Sequence, residues 1–243
     1  LAVASGLFGA VAGLRRKAYD VGALKAHRAG DPVISVGNLT VGGTGKTPLV
    51  IHLARALIDR GERVAVLARG YGAPRDGDLN DELRQVQEEV PEAILFPGKD
   101  RVARSRDATD AGATVLLLDD GFQHRRLARD VDIVILDATE PWGAPPRRLL
   151  PRGLLREPPS ALQRADVVVF SRVELVGRAE LGQLEAEVSR LGFYGSIARM
   201  PLHPTQVVHL ATPSAKGFRG TAPISLRGVP VLAACGIGNP NAF

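Results

Sequence analysis

A single cysteine in 243 residues leaves no partner for an intramolecular disulfide. A disulfide scaffold is therefore excluded, and a reducing compartment is expected. Cys235 itself reads as a small core residue rather than a nucleophile. Histidine is almost as scarce. His27, His52, His203 and His209 show no ligand spacing, so a histidine zinc site is not supported. His124 is a candidate neighbour of a metal or phosphate, although a lone histidine is more often structural. Aromatic residues make up only 5% of the chain. They form no stacking platform interleaved with basic residues, and no nucleic-acid recognition motif is present, so nucleic acid is not an expected partner.

A long hydrophobic run is also missing. Residues 1–14 (LAVASGLFGAVAGL) are apolar, but as a helix they would reach roughly 21 Å, and a bilayer core needs about 30 Å. Val3, Leu7, Val11 and Leu14 recur at helical spacing with Phe8 beside them, while Ser5, Gly9 and Gly13 form a face of small residues. Arg15, Arg16 and Lys17 follow at once. Basic residues after the apolar run reverse the order of a signal peptide. Two readings stay open: an amphipathic helix lying in a membrane interface, and a helix packed on the domain core.

The rest of the composition is that of a globular protein, 45% hydrophobic and 23% charged. Its length suffices for one α/β domain, or for one domain and part of another. A net charge of +5 favours anionic partners without choosing among nucleotide phosphates, acidic lipids and nucleic acid. The sequence starts at Leu1 without a methionine and stops just after a turn-like Gly236-Ile237-Gly238-Asn239-Pro240, as expected of a segment of a longer protein.

Short Val/Ile/Leu runs alternate with helical patterns along the chain. PVISVG (32–37), RVAVLA (63–68), residues 93–96, TVLLLD (114–119), VDIVILD (131–137) and DVVVF (166–170) read as buried strands. Residues 47–59, 81–89, 100–111 and 178–191 read as helices, and the proline-rich stretch 141–159 as a long loop. The alternation predicts an α/β fold, a P-loop NTPase-like parallel sheet with helices on both faces. Ligands of such sheets bind at the carboxyl ends of the strands.

Two motifs fall there. After PVISVG comes Asn38-Leu39-Thr40-Val41-Gly42-Gly43-Thr44-Gly45-Lys46-Thr47. Gly42, Gly43, Thr44 and Gly45 let backbone N–H groups turn inward around phosphate oxygens, and the next helix offers its positive end to the same anion. Lys46 would reach the β- and γ-phosphates, and the Thr47 hydroxyl would ligate Mg²⁺. Thr40 stands where the general pattern has its first glycine. The second motif is the strand TVLLLD, which ends in Asp119-Asp120, the arrangement that holds Mg²⁺ beside a phosphate loop. By contrast, Phe170-Ser171-Arg172-Val173-Glu174 lacks the Asn-Lys-x-Asp pattern of guanine readers.

SVGNLTVGGTGKTP (35–48), ARGYG (68–72), LDDGFQHRRLARDVDIVILDA (118–138), LLPRGLLREP (149–158) and CGIGNP (235–240) together resemble the tetraacyldisaccharide 4'-kinase (lipid A 4'-kinase) family. The resemblance implies transfer of the γ-phosphoryl group of ATP, with Mg²⁺, to the 4'-hydroxyl of a tetraacylated glucosamine disaccharide 1-phosphate, the lipid A precursor. It implies the cytoplasmic face of the bacterial inner membrane, an anionic membrane surface as partner, no obligate protein partner, and an anchoring helix within 1–28. The kinase domain would then be 29–235, with 236–243 the start of a C-terminal subdomain. The family's Gly-Asp-Glu-Pro motif matches Asn80-Asp81-Glu82-Leu83, with Gly77-Asp78 as a competing register.

On that match the expected catalytic set is Asp81, Lys46, Asp119 and Asp120. Asp81 would accept the proton of the sugar hydroxyl, its bland alternative being a helix N-cap. Mg²⁺ would draw on Thr47, Glu82, Asp120 and Gln123. Arg156, with Arg152 and Glu157 in the proline-rich loop, would contact phosphate. Tyr71 would flank the nucleotide or pack the strand end. The alternatives are another P-loop ATPase or ligase, and a nucleotide- and membrane-binding module without kinase activity.

Overall fold

A computed structural model of the chain describes residues 1–70, 79–144 and 147–202, together with the backbone of 208–210 and 220–223. Tyr71, Gly77, Asp78, Cys235 and the CGIGNP segment lie outside the described residues.

Seven strands form one parallel sheet: β1 (Val33–Asn38), β2 (Val64–Ala68), β3 (Ile94–Pro97), β4 (Val115–Asp119), β5 (Val131–Asp137), β6 (Val167–Ser171) and β7 (Ser196–Met200). Their order is β3-β2-β4-β1-β5-β6-β7. A separate antiparallel pair, β8 (Val208–Leu210) and β9 (Gly220–Pro223), follows. The expected parallel sheet is present. β7 was not legible, because its residues are mostly exposed and carry no apolar run.

Period-2 alternation divides the sheet residues between its two faces. Val64, Val66 and Ala68 of β2, with Ile133 and Ile135 of β5, face one way. They pack against Leu49, Val50 and Ala54 of α2 (Lys46–Ile58) and Leu83 and Val86 of α3 (Asp81–Glu89). On the other face Ala65 and Leu67 meet Val102 and Ala108 of α4 (Arg101–Asp110). Val134, Leu136, Val168 and Phe170 meet Leu181 and Val188 of α5 (Arg178–Arg190) on that same side.

Helix starts follow the side-chain chemistry. The Asp100 carboxylate caps α4, accepting from the N–H groups of Val102 and Ala103. Asn80 caps α3, its side chain accepting from the Leu83 N–H at 3.1 Å. The expectation that Asp81 caps residues 82–89 is thereby corrected. Asp81 is the first helical residue, where a carboxylate favours the helix dipole instead.

The N-terminal helix α1 (Ala2–Asp20) runs through the basic cluster and has no buried residue. Its small-residue face docks. The Ser5 hydroxyl donates to the Leu149 carbonyl at 2.9 Å, and a Cβ on Gly9 would come within 2.9 Å of Leu149. Arg125 pins the far end through the Arg16 carbonyl and the Asp20 carboxylate, and it stacks on Tyr19 at 5.1 Å. Val3, Leu7, Val11 and Leu14 are 78%, 64%, 68% and 73% exposed. Among the described residues these four side chains make no buried packing on the core. No helix among the described residues is long and apolar enough to cross a membrane.

Gly37 shows how tightly the site end of β1 is packed. A Cβ there would lie 2.6 Å from Phe122 Cβ and 2.8 Å from the Phe122 backbone nitrogen. Gly37→Ala should destabilise the fold by about 1–3 kcal/mol, the usual cost of overpacking. Urea unfolding followed by circular dichroism would read this as a lower midpoint at an unchanged slope.

Candidate active site

The chain reverses its direction of travel across the sheet at β1. From β1 it crosses to β2 and β3, then returns to β4 on one side of β1 and continues with β5 on the other. That switch opens a crevice beyond the carboxyl ends of the central strands. β1 and β4 are paired there, with Val36 opposite Asp119. The phosphate loop and the aspartate pair therefore meet by strand register.

Residues 39–45 wrap over the end of β1. Gly42 and Gly45 have φ of 116° and 90°, left-handed conformations that glycine adopts at no steric cost. Asn38 donates from its side-chain amide to the Thr44 hydroxyl at 3.1 Å. Ser171, at the end of β6, donates to the Thr44 carbonyl at 2.8 Å. Arg172 donates to the Gly43 carbonyl at 3.1 Å and forms a buried ion pair with Asp137. Gly45 begins α2, and Lys46 and Thr47 form its first turn.

The proline-rich loop returns alongside this segment. Thr40 bridges to Leu155, the Val41 N–H donates to the Leu154 carbonyl at 2.8 Å, and the Arg156 N–H donates to the Leu39 carbonyl at 2.7 Å. Arg156 is thereby delivered to the cleft. Its guanidinium holds both carboxylate oxygens of Asp120 at 2.9 and 2.8 Å. The Lys46 ammonium stands 3.9 Å from the same carboxylate.

The two aspartates differ sharply. At Asp120 burial raises the pKa, but Lys46 and Arg156 more than offset it and hold the carboxyl below its usual value. Asp119 is 1% exposed, and neither carboxylate oxygen has a hydrogen-bond partner among the described residues. Burial, reinforced by the charge of Glu82, pushes its pKa up to about 7. Arg101, itself 3% exposed, donates to the Asp119 backbone carbonyl at 2.9 Å. Gln123 donates to the Asn38 carbonyl at 2.9 Å, which leaves its own side-chain oxygen buried and unpartnered.

One cleft of about 800 Å³ gathers these groups, lined by Gly42, Lys46, Glu82, Asp119, Asp120, Gln123 and Arg156. Phe8, Val11, Ala12, Arg15 and Arg16 of α1 form its outer wall. Of the expected site residues, Gly43, Thr44, Gly45 and Thr47 frame the loop without lining the cleft. Asp81 is exposed at the start of α3 and outside the lining, whereas the adjacent Glu82 is inside it. His124 stands apart, with its pKa lowered to about 4 by burial and the charge of Arg101, so it is neutral.

The donor set suits a hard cation. The unpartnered oxygens of Asp119 and Gln123, together with Glu82, are the ligand type that Mg²⁺ takes. Among the described residues no three His, Cys, Asp or Glu side chains converge on one point. Mg²⁺ needs no such cage, since it is normally held by one or two carboxylates plus substrate phosphates. Asp120, assigned to the metal from the sequence, is already paired with two cations. Asp119 is the carboxylate with free oxygens.

The sequence did not single out Arg101, Ser171 or Arg172, which contact the Asp119 carbonyl and the loop backbone. Ser171 and Arg172 stood at a strand end, which was a usable signal. Arg101 sat inside a helix with nothing to distinguish it.

A parallel sheet with a glycine-rich phosphate loop on one central strand and an acidic pair on the next defines a P-loop nucleotide-binding protein. Comparison with known proteins narrows the class. A model of the tetraacyldisaccharide-1-P 4'-kinase family matches residues 1–243, and the chain belongs to that family. The tetraacyldisaccharide 4'-kinase of Anaeromyxobacter sp. (strain Fw109-5) is 41% identical over all of this chain and 68% of its own length. That of Halothermothrix orenii is 37% identical over 95% of this chain and 65% of its own length. The chain thus spans about two thirds of these relatives. A crystal structure of LpxK from Aquifex aeolicus, in an "apo" form in complex with ATP, is similar at a TM-score of 0.65. It is 29% identical, over 84% of this chain and 82% of that one.

The Asp119 environment gives a signed pH dependence. Its folded pKa of about 7 lies above the ordinary 3.8, so between these values the folded chain keeps a proton that the unfolded chain has lost. Stability from this group is therefore full below about pH 4, falls as pH rises toward 7, and is flat above. Without Mg²⁺, Asp119→Asn should melt higher than the parent at pH 8, with the gap closing by pH 4. Calorimetry across that range would check it.

Proposed function

We propose that the protein is an ATP-dependent kinase that phosphorylates the 4'-hydroxyl of a tetraacyl glucosamine disaccharide 1-phosphate, the lipid A precursor, at the cytoplasmic face of the bacterial inner membrane. The observation that carries this reading is the joining of two chemistries in one cleft. Its floor has the phosphate loop, Lys46 and the buried Asp119, and its outer wall is an amphipathic helix with an exposed apolar face. Family membership and the ATP complex of the Aquifex aeolicus relative support the same reading.

Phosphoryl transfer asks for positioning and charge neutralisation rather than covalent chemistry. The N–H groups of the Gly42–Thr47 loop hold the β- and γ-phosphates. Lys46 and Arg156 exchange their pairing with Asp120 for the phosphate oxygens. Asp119, Glu82, Gln123 and the Thr47 hydroxyl would hold Mg²⁺, with Asp120 beside them. When bound, Mg²⁺ would supply neutralisation of the charge that builds on the phosphates. The 4'-oxygen attacks the γ-phosphorus, the bond to the β–γ bridging oxygen breaks, and ADP leaves with that electron pair. Asp81 accepts the hydroxyl proton, with Glu82 as the neighbouring carboxylate already in the cleft.

Arg15, Arg16 and Lys17 at the end of the apolar helix suit anionic headgroups, each contributing about 1 kcal/mol near such a surface. Leu7→Asp with Leu14→Asp should release the protein from vesicles containing anionic lipid, read by co-sedimentation. Sedimentation of that variant with the vesicles at the parental level would remove α1 as the anchor.

The function itself is tested with labelled Mg-ATP and the tetraacyl disaccharide 1-phosphate in detergent micelles, using the full-length protein. Label should enter the lipid and vanish with Lys46→Ala. Asp81→Asn should lower kcat about 10²- to 10⁴-fold at a nearly unchanged KM for ATP, the size expected for loss of a general base. If only Glu82→Gln did so, the proton would go to Glu82. Absence of labelled lipid from a protein that binds ATP would defeat the kinase assignment.

A further inference from the structure

The end of β6 has no part in the chemistry above, yet it touches the phosphate loop twice. Ser171 is fully buried, and its hydroxyl donates to the Thr44 carbonyl at 2.8 Å. Arg172 is 9% exposed and bridges the Gly43 carbonyl and the Asp137 carboxylate. Both acceptors are backbone oxygens of the loop that faces the phosphates.

A trans peptide unit is planar, with its C=O and N–H pointing in opposite directions. Fixing the Gly43 carbonyl on Arg172 therefore aims the Thr44 N–H away from Arg172. Fixing the Thr44 carbonyl does the same for the Gly45 N–H. A loop with three glycines in four positions has little conformational preference of its own, so such anchors decide which orientation is populated. Asn38 adds a third hold through the Thr44 hydroxyl.

Arg172 carries a backbone signature of this task. Its φ is 54°, in the left-handed region that a residue with a long side chain seldom enters. Strain of that kind persists where surrounding contacts over-determine it. Here the turn swings the guanidinium from the sheet end to the space between β5 and the loop. Asp137 then orients the guanidinium and neutralises it, so that its second prong can serve a neutral carbonyl.

We propose that Ser171 and Arg172 are positioning residues of the phosphate loop, which hold the Gly43 and Thr44 carbonyls outward and thereby set the affinity for the nucleotide's phosphate chain. The proposal rests on the nucleotide-binding half of the function above and not on the identity of the acceptor.

The test compares full-length parent, Ser171→Ala, Arg172→Gln and Arg172→Lys. Calorimetry gives Kd for Mg-ATP and for inorganic tripolyphosphate, and the kinase assay gives KM for the lipid. Ser171→Ala should raise the Kd for Mg-ATP about fivefold, the loss expected for one hydrogen bond, and Arg172→Gln should exceed it. Tripolyphosphate should weaken in parallel, while KM for the lipid stays put. Lysine keeps a charge near Asp137 but lacks the planar fork, so Arg172→Lys should recover only part of the affinity. Ser171→Ala, which removes a single oxygen, should leave the ligand-free melting temperature within a few degrees.

An unchanged Kd in both Ser171→Ala and Arg172→Gln would overturn the proposal. So would equal losses for lipid and nucleotide accompanied by a large fall in melting temperature, which would mark the pair as structural. A parent that binds Mg-ATP but labels no lipid would sink the kinase reading alone, because the Kd comparison still decides the role of Ser171 and Arg172.

Discussion

Two carboxylates stand side by side at the end of a buried strand, and the cleft gives them opposite environments. Asp120 turns off the strand axis with φ of 50° and is met by Arg156 and Lys46. Asp119 stays in the strand, buried and without a partner for either oxygen among the described residues. The first is kept charged by cations. The second is poised, its pKa near 7, so that a cation arriving in the cleft would bring it to the charged form. Arg101 sits behind both, bound to the Asp119 backbone, and burial lowers its pKa while Asp120 and Asp119 oppose that effect. The protein thus separates an aspartate paired with cations from a buried aspartate whose oxygens have no hydrogen-bond partner among the described residues.

This division depends on the sheet. Because β4 is slotted beside β1, the acidic pair comes to the phosphate loop through backbone register rather than through a flexible connection. β6 lies two strands away from β1, and its end still reaches the loop through Ser171 and Arg172. The proline-rich segment completes the enclosure by pairing with Leu39–Val41, which sets Arg156 against Asp120. β4 carries Asp119 and ends just before Asp120, and a loop carries the arginine that pairs with Asp120.

The parts visible in the sequence were those with short-range signatures. Buried strands announce themselves as Val/Ile/Leu runs, and six of the seven were legible for that reason. β7 was not, because an exposed strand, Ser196-Ile197-Ala198-Arg199-Met200, has no such pattern. Its place is set by pairing with β6, a long-range fact. In the site, the phosphate loop and Asp119-Asp120 follow from local spacing. Arg101, Ser171 and Arg172 act through backbone carbonyls of residues far away in sequence, and a contact made to a backbone oxygen leaves no mark on the identity of the residue contacted. The cap of α3 shows the limit at finer scale. Asn and Asp are nearly equal as caps, so Asn80-Asp81 could not be resolved until Asn80 was seen to accept from Leu83.

The placement of α1 bears on how an amphiphilic acceptor would reach such a site. The helix docks by its small residues, with Ser5 and Gly9 against Leu149, and thereby leaves its large apolar residues outward. A helix stabilising the fold would do the opposite, since burying those side chains is its main available gain. Instead the hold on α1 comes from Ser5, which donates to the Leu149 carbonyl, and from Arg125, which donates to the Arg16 carbonyl and the Asp20 carboxylate, a polar and local attachment. Phe8, Val11 and Ala12 nevertheless reach the rim of the same cleft that holds Lys46 and Asp119. An apolar surface that begins in solvent and ends at a phosphate site is continuous for a molecule with acyl chains at one end and a hydroxyl at the other. The Ser5 and Gly9 face keeps α1 close enough for the cleft to retain an outer wall, and bulk at either position would move that wall rather than unfold the sheet.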